Sequence, residues 1–294
     1  MSAFKSGFCM LCGRPNVGKS TLMNHFVGQK VAIVSPRAQT TRNCIRGIVT
    51  TKDYQVVFLD TPGIHKPKSK LNDYMVKAQK DAATGADFVC VMLDLTEPIG
   101  QTDEHILREY ASAATPCAIV LNKLDCVEKD AVLPVLERLA GYGVPLFPVS
   151  AATGEGCDAL FDEIVSHLDE GPQYFPEEMV GDFPERFLAA ELIREKALLN
   201  LREEIPHGIG VHIEKMQERD NGTLYIAAEI ICERTSHKGI VIGKGGAMLK
   251  TIGGQARQEL EALLDAKVYL ELFVKVRENW RNSGNVLKEL GYSE

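Results

Sequence analysis

The stretch "GRPNVGKS" (Gly13–Ser20) decides the fold. It matches the pattern G-x-x-x-x-G-K-[ST]. An apolar run, "GFCMLCG" (Gly7–Gly13), leads into it and a helical pattern leads out. Strand, glycine-rich turn and helix, in that order, make a phosphate-binding loop. The backbone N–H groups of such a loop and the helix N-terminus face phosphate oxygens. Lys19 is placed to neutralise β and γ phosphates, and Ser20 to ligate Mg²⁺. The nucleotide contacts expected from this segment are Gly13, Asn16, Val17, Gly18, Lys19, Ser20 and Thr21. The pattern alone separates neither ATP from GTP nor a hydrolase from a kinase.

Outward from this loop, short apolar runs alternate with helical patterns up to about residue 169. The runs are "YQVVFLD" (Tyr54–Asp60), "ADFVCVMLDL" (Ala86–Leu95), "TPCAIVLNK" (Thr115–Lys123) and "VPLFPVS" (Val144–Ser150). They are nearly continuous in apolar residues, as strands buried on both faces are. In the helical "DALFDEIVSHL", Leu160, Phe161, Ile164, Val165 and Leu168 form one apolar stripe. Such alternation implies an α/β domain with a mostly parallel sheet between helices. "NCIRGIVTT" (Asn43–Thr51) precedes "YQVVFLD" by one short turn, so that pair is expected to be antiparallel.

Three strand ends carry chemistry. "NKLD" (Asn122–Asp125) ends a parallel strand, where ligands of such sheets bind. Asp125 can accept hydrogen bonds from guanine N1–H and the 2-amino group, which adenine lacks at those positions. Lys123 can lie along the base and Asn122 can brace the loops. "SAATG" (Ser150–Gly154) ends the next strand, and the backbone N–H groups of Ser150, Ala151 and Ala152 suit guanine O6. Asp60 ends the strand expected beside the phosphate-loop strand, within reach of Mg²⁺ through water. Gly63 can bring a backbone N–H to the γ-phosphate where a Cβ would obstruct. Between the phosphate loop and Asp60 lies "SPRAQTTRN", in which a threonine can complete the metal shell only when the γ-phosphate is present. Such a loop is a switch, ordered by GTP and released on hydrolysis.

The pattern breaks at "DEGPQYFPEEMVGDFPE" (Asp169–Glu185), rich in prolines and acids. We therefore expect a nucleotide-binding domain over 1–169, a linker over 170–184 and a second domain over 185–294. The second domain reads α-β-β-α-α-β, with a hairpin at "RDNG" and a last helix over "ENWRNSGNVLKEL". "VIGKGGAMLKTIG" (Val241–Gly253) places G-x-x-G between two helices, in the frame of a type II KH domain. There the glycines admit an RNA backbone and the neighbouring surface reads about four unstacked bases. The expected RNA contacts are Ile242, Gly243, Lys244, Gly245, Gly246 and Lys250. From Arg234 to Gln258 the charged residues are Arg234, Lys238, Lys244, Lys250 and Arg257, with no acid among them. A local basic face thus sits in a chain of net charge −7.

The remaining composition narrows the class. The 294 residues suffice for two domains, and 45% apolar with 25% charged content is that of a globular protein. Eight cysteines lie scattered, and the one CxxC, Cys9 and Cys12, falls inside a strand, as reduced buried thiols do. No run approaches the about 18 apolar residues of a membrane span, and the N-terminus lacks a signal-peptide pattern. The expectation is a cytoplasmic protein.

"GRPNVGKS", "QTTR", "DTPGIHKPK", "NKLD" and "SAATG", in this order, resemble the translation-factor-related GTPases. With the second domain, the whole chain closely resembles the Era family of bacterial ribosome-assembly GTPases. The resemblance implies a GTP/GDP-dependent switch that uses Mg²⁺ and hydrolyses GTP. It implies an RNA partner, the 3′ end of 16S ribosomal RNA, and a role in maturation of the small (30S) subunit. It also implies a monomer and a peripheral association with the cytoplasmic face of the membrane. By the same resemblance Thr41, directly before Arg42, is the switch threonine, with its neighbour Thr40 kept open, and the catalytic group is Asn16, Lys19, Thr41 and Gly63. Ile64 stands where Ras-like proteins carry a water-orienting glutamine. Related GTPases without it can use K⁺ to neutralise transition-state charge, with Asn16 as the ligand. The alternative for Asn16 is a turn residue with an unusual backbone, and for His65 a solvated loop residue rather than a general base. A nucleoside kinase is disfavoured by "NKLD" and the switch threonine. A plain RNA-binding module is disfavoured by the intact Lys19, Ser20 and Asp60, and a membrane regulator by the lack of an anchor.

Overall fold

The computed structural model describes residues 3–37, 39–63 and 69–292. The chain forms two compact units. The first contains residues 3–32, 41–63 and Met75–Asp182. The second begins at Phe183 and also takes in Ile33–Thr40 and residues 69–74.

In the first unit β1 (Lys5–Gly13) runs into α1 (Lys19–Val27). There follow β2 (Ile45–Thr50), β3 (Tyr54–Asp60), α2 (Lys70–Thr84, in this unit from Met75 on), β4 (Phe88–Asp94) and α3 (Gln101–Ala111). Then come β5 (Cys117–Asn122), α4 (Val132–Leu139), β6 (Leu146–Pro148), α5 (Cys157–Ser166) and β7 (Asp169–Glu170). The sheet order is β2-β3-β1-β4-β5-β6. Neighbours from β3 to β6 are parallel, whereas β2 is antiparallel to β3, as its short connection requires. Both faces are covered. Met10, Cys12, Val57, Val91 and Ile119 pack on one side with Ile106 and Leu107 of α3. On the other, Phe58 stacks on Phe26 at 5.0 Å, and Phe26 meets Phe161 at 5.2 Å. Cys12 belongs to the first of these layers and Cys9 does not. Residues three apart on a strand point to opposite faces, so this CxxC cannot converge on one ion.

The stretch expected to be a linker is bound to the first unit instead. β7 pairs antiparallel with Lys5 and Ser6 of β1. The Gln55 side chain, fully buried, then holds the chain at Tyr174 and Phe175. Its Oε1 accepts from the N–H groups of Tyr174 (2.8 Å) and Phe175 (3.0 Å). Its Nε2 donates to the Phe175 carbonyl (2.9 Å) and to Thr50 Oγ1 (2.8 Å). Further on, Ile48 N–H donates to the Val180 carbonyl at 2.9 Å and Arg46 pairs with Asp182 at 2.6 Å. Proline and acid content marked this segment as irregular, which it is, but irregular backbone fastened by side chains is not a free tether.

The second unit carries α6 (Glu185–Asn200), β8 (Gly210–Glu218), β9 (Leu224–Cys232), α7 (Thr235–Ile242), α8 (Ala247–Leu264), β10 (Val268–Val276) and α9 (Gly284–Glu289). β9 is the central strand, antiparallel to β8 and parallel to β10. Leu192, Ile193, Ile226, Ala228, Ile230, Ile252, Ala256 and Leu260 build its core. The last helix is shorter than the pattern indicated. Asn279 takes a left-handed backbone (φ 53), and Trp280–Asn282 form a separate single turn before α9. Trp280 is fully buried and its Nε1 donates to the Gly208 carbonyl at 2.9 Å. Anchoring that ring displaces the helix start.

Gln55→Ala removes four hydrogen bonds and leaves buried backbone groups unpartnered. The expected loss is about 2–3 kcal/mol of stability, read by denaturant unfolding, with faster proteolysis between residues 170 and 182. Unchanged stability and unchanged cleavage would contradict this role.

Candidate functional site

The phosphate loop connects β1 to α1, whose first residues are Lys19 and Ser20. Asn16 within it has a left-handed backbone, φ 67. Lys19 is buried, and its Nζ donates to the carbonyls of Arg14 (2.9 Å) and Gly13 (3.3 Å). Burial holds its ammonium below the ordinary lysine range, against the pull of Asp60. Gly63, after β3, lies against the same loop. A Cβ there would stand 2.6 Å from Pro15 N and 2.7 Å from Pro15 Cα, so the close approach requires glycine.

Three oxygens from three separate segments meet beside it. Ser20 Oγ donates to Asp60 Oδ2 at 2.6 Å and lies 3.0 Å from Thr41 Oγ1. Thr41 Oγ1 donates to the same Asp60 oxygen at 3.2 Å. Asp60 is fully buried, and its Oδ1 has no hydrogen-bond partner among the described residues. Burial raises its carboxyl above the usual range, while Lys19, Ser20 and Thr41 pull it partly back. A buried carboxylate with an unused oxygen beside two hydroxyls is a hard-cation site, and this donor set fits Mg²⁺. Of the two threonines, Thr41 is the one whose hydroxyl meets Asp60. Thr40 Oγ1 is turned away, donating to the Arg37 carbonyl at 2.6 Å.

The base-side loops are locked together by Asn122. Its Nδ2 donates to the Val17 carbonyl at 2.8 Å, and its Oδ1 accepts from Ala151 N–H at 2.9 Å. Ala151 therefore anchors Asn122, and Ala152 is the neighbour whose N–H can face a base. Ser150 Oγ donates to Asp125 Oδ1 at 2.5 Å, and with Cys126 it keeps that carboxyl below the ordinary range. Lys123, at φ 69, forms an ion pair with Asp94 at the end of β4. Asp94 was not singled out in the sequence. The available signal was a strand ending in a carboxylate, the same one that marked Asp60. Ile64 and His65 lie outside the described residues.

In the second unit the G-x-x-G loop is a tight turn between α7 and α8. Gly243 (φ 73) is required by packing, since a Cβ there would lie 2.8 Å from Met248 N. At Gly245 and Gly246 a Cβ would meet nothing within 4 Å, so open space lies over the turn. Lys244 and Lys250 are exposed and Ile242 is half-buried. Ile240 of α7 is 49% exposed, an apolar neighbour of this loop that periodicity did not mark.

The family model described as 50S ribosome-binding GTPase matches residues 8–123, and the KH domain model matches residues 204–281. The chain is 47% identical over 293 residues to GTPase Era of Ruminiclostridium cellulolyticum, covering 99% of this chain and 98% of that one. It is 49% identical to GTPase Era of Clostridium botulinum, with 99% of each chain covered. This chain belongs to the Era family of GTPases. A solved structure of Era in complex with MgGDPNP and nucleotides 1506–1542 of 16S ribosomal RNA superposes with a TM-score of 0.95. It shares 40% identity, with 99% of this chain and 100% of that one covered. An Aquifex aeolicus Era variant bound to GDP and aluminium fluoride matches to the same degree. As a member of the Era family the chain is a GTPase, with a GTP-binding α/β domain followed by a KH domain.

Replacing Asp125 with Asn exchanges an acceptor for a donor facing the base. A bidentate charge-assisted contact is worth about 3 kcal/mol, so GTP affinity should fall roughly a hundredfold and xanthosine triphosphate should bind in its place. Titration of a fluorescent nucleotide checks this, and a variant that keeps wild-type GTP affinity would remove the assignment.

Proposed function

We propose that this GTPase is a switch that binds the 3′ end of 16S ribosomal RNA through its KH domain and assists maturation of the small ribosomal subunit. The observation that carries the switch is the meeting of Ser20, Thr41 and Asp60, with Thr41 delivered by a loop. Ser20, Thr41 and Asp60 would hold Mg²⁺, which would supply positive charge to neutralise the phosphates. Lys19 exchanges its two loop carbonyls for phosphate oxygens, and the N–H groups of Gly13 and of Asn16 to Thr21 cradle them. Gly63 sets its loop close enough to sense the γ-phosphate. Asp125, oriented by Ser150, reads guanine, with Lys123 along the base and Asn122 and Ala151 bracing the loops. When the γ-phosphate leaves, Thr41 loses its reason to stay, and the loop before it is released.

The RNA target rests on the likeness to the relative solved with 16S nucleotides. The match to the 50S-binding model spans only the nucleotide-binding part. The small-subunit reading is preferred because the RNA-bound relative is similar over the whole chain. The open turn at Gly245 and Gly246, with Lys244 and Lys250 exposed beside it, suits a phosphate backbone. Among the described residues no helix is long and apolar enough to cross a membrane. We place the protein in the cytoplasm as a monomer, with any membrane contact peripheral.

Asn16 supplies an amide oxygen of the kind that ligates K⁺, yet a left-handed backbone is also an asparagine habit. The two roles separate in Asn16→Gly, which keeps the backbone and removes the amide. GTP hydrolysis should run faster in K⁺ than in Na⁺ at equal ionic strength, and the variant should lose that difference. Equal wild-type rates in the two salts would exclude K⁺ as a cofactor.

The RNA reading is tested by Lys244→Asp with Gly245→Asp. Asp tolerates the left-handed conformation of Gly245 (φ 61), so the fold should survive. Affinity for an oligonucleotide matching nucleotides 1506–1542 should drop more than tenfold, with a flatter salt dependence. Basal GTP hydrolysis should stay the same. A folded variant that binds this RNA as tightly as wild type would reduce the loop to a plain turn.

A further inference from the structure

Helix α6 carries three charged residues with almost no exposure: Glu191 at 8%, Arg194 at 0% and Glu195 at 2%. Burying charges on successive turns of one helix is costly unless each is paired and hydrogen-bonded. Part of the pairing is internal to the helix. Arg194 Nε donates to Glu191 Oε1 at 2.7 Å, and Glu195 Oε2 accepts from Lys196 Nζ at 2.7 Å.

Arg194 and Glu195 also reach one loop, Ile33–Thr40, which belongs to the second unit together with α6. Glu195 Oε1 accepts the Val34 N–H at 2.8 Å. An Arg194 Nη2–H donates to the Thr40 carbonyl. Arg37 Nη2 donates to the Leu201 carbonyl, just beyond α6, at 3.1 Å. Ile33 is buried in the core that α6 helps to build. The loop is thus held at both ends by buried charged groups of α6. The next residue, Thr41, belongs to the first unit and donates to Asp60. The chain passes from one unit to the other at the Thr40–Thr41 peptide bond.

We propose that Arg194 and Glu195 are positioning residues for the switch threonine. They hold the carbonyl and N–H groups at the two ends of 33–40, and so set where the backbone must deliver the Thr41 hydroxyl. The same helix lies against the RNA-binding half of its unit. Asn200 Nδ2 donates to Gln255 Oε1 of α8 at 2.7 Å, and α8 starts at Ala247, directly after the G-x-x-G turn. RNA held at that turn and the γ-phosphate sensed through Thr41 therefore bear on one helix. Because such coupling is reciprocal, RNA should raise affinity for the triphosphate by the factor by which the triphosphate raises affinity for RNA. This proposal rests on Thr41 being the switch residue.

The test uses the full-length protein. Glu191→Met with Arg194→Met removes both partners of the buried pair, a change that typically preserves stability, while deleting the donor to Thr40. Glu195→Ala deletes the acceptor for Val34, and Glu195→Gln restores an acceptor at that place. Affinities for GDP and for GDPNP are measured with Mg²⁺, with and without the 1506–1542 oligonucleotide, and folding is followed by circular dichroism. GDPNP affinity is expected to fall at least fivefold in the double variant and in Glu195→Ala, and to recover in Glu195→Gln. GDP affinity should stay within twofold, a split that a general structural defect would not produce. The RNA effect on GDPNP binding should shrink toward none. If the double variant unfolds, the Ala and Gln pair at Glu195 decides alone. Folded variants with an unchanged GDPNP-to-GDP ratio would overturn the proposal and leave the function standing. A wild-type protein that shows no Mg²⁺-dependent preference for GDPNP would instead overturn the switch reading, and the proposal with it.

Discussion

Asp60 is a carboxylate with no exposed surface, and burial pushes its carboxyl above the usual range. An isolated charge in that position would be expelled or neutralised. It is kept because two hydroxyls and the nearby Lys19 face it, and because one of its oxygens is left for a cation. Much else follows from that constraint. The strand must end at Asp60, beside Leu11 of β1, so that the carboxylate reaches the start of α1. A loop must also bring Thr41 back to it. A metal ion at Asp60 would add the positive charge that this buried carboxylate lacks, and would tie ligand binding to the order of the loop that carries Thr41.

The guanine side is built on a different economy. One asparagine does the joining there. Asn122 binds the phosphate loop through Val17 and the base loop through Ala151. Phosphate and base contacts are therefore set by one side chain, while Asp125 and Lys123 are oriented by Ser150 and Asp94. Asp125 and Lys123, which we propose contact the base, thus each have a second residue fixing their direction. A loop site needs such support, because loops do not hold side chains rigidly by themselves.

How much of this was legible in the sequence depends on range. The parallel strands and the loops at their ends showed as apolar runs followed by short polar signatures, and Tyr54–Asp60 matched its expected bounds. Both signals are local. The linker reading failed because nothing near Tyr174 in the chain announces that Gln55 will hold it. The break before α9 depends on Trp280 finding the Gly208 carbonyl, some seventy residues away along the chain. Most consequential, Ile33–Thr40 sits inside the nucleotide-binding sequence yet belongs with the second unit. The only trace is in α6, whose "ELIRE" places acids and an arginine on turns that are otherwise core. Periodicity reads such residues as a solvated face, and only burial shows them to be partners of a distant backbone.

The central claim is that the γ-phosphate stabilises Thr41 where it meets Ser20 and Asp60, so that the preceding loop is better ordered with GTP than with GDP. Hydrogen–deuterium exchange over residues 33–44 of the full-length protein tests it most directly, with Mg²⁺ and either GDP or GDPNP bound. Amide exchange in this segment should be markedly slower with GDPNP than with GDP. Equal exchange in the two states would contradict the account.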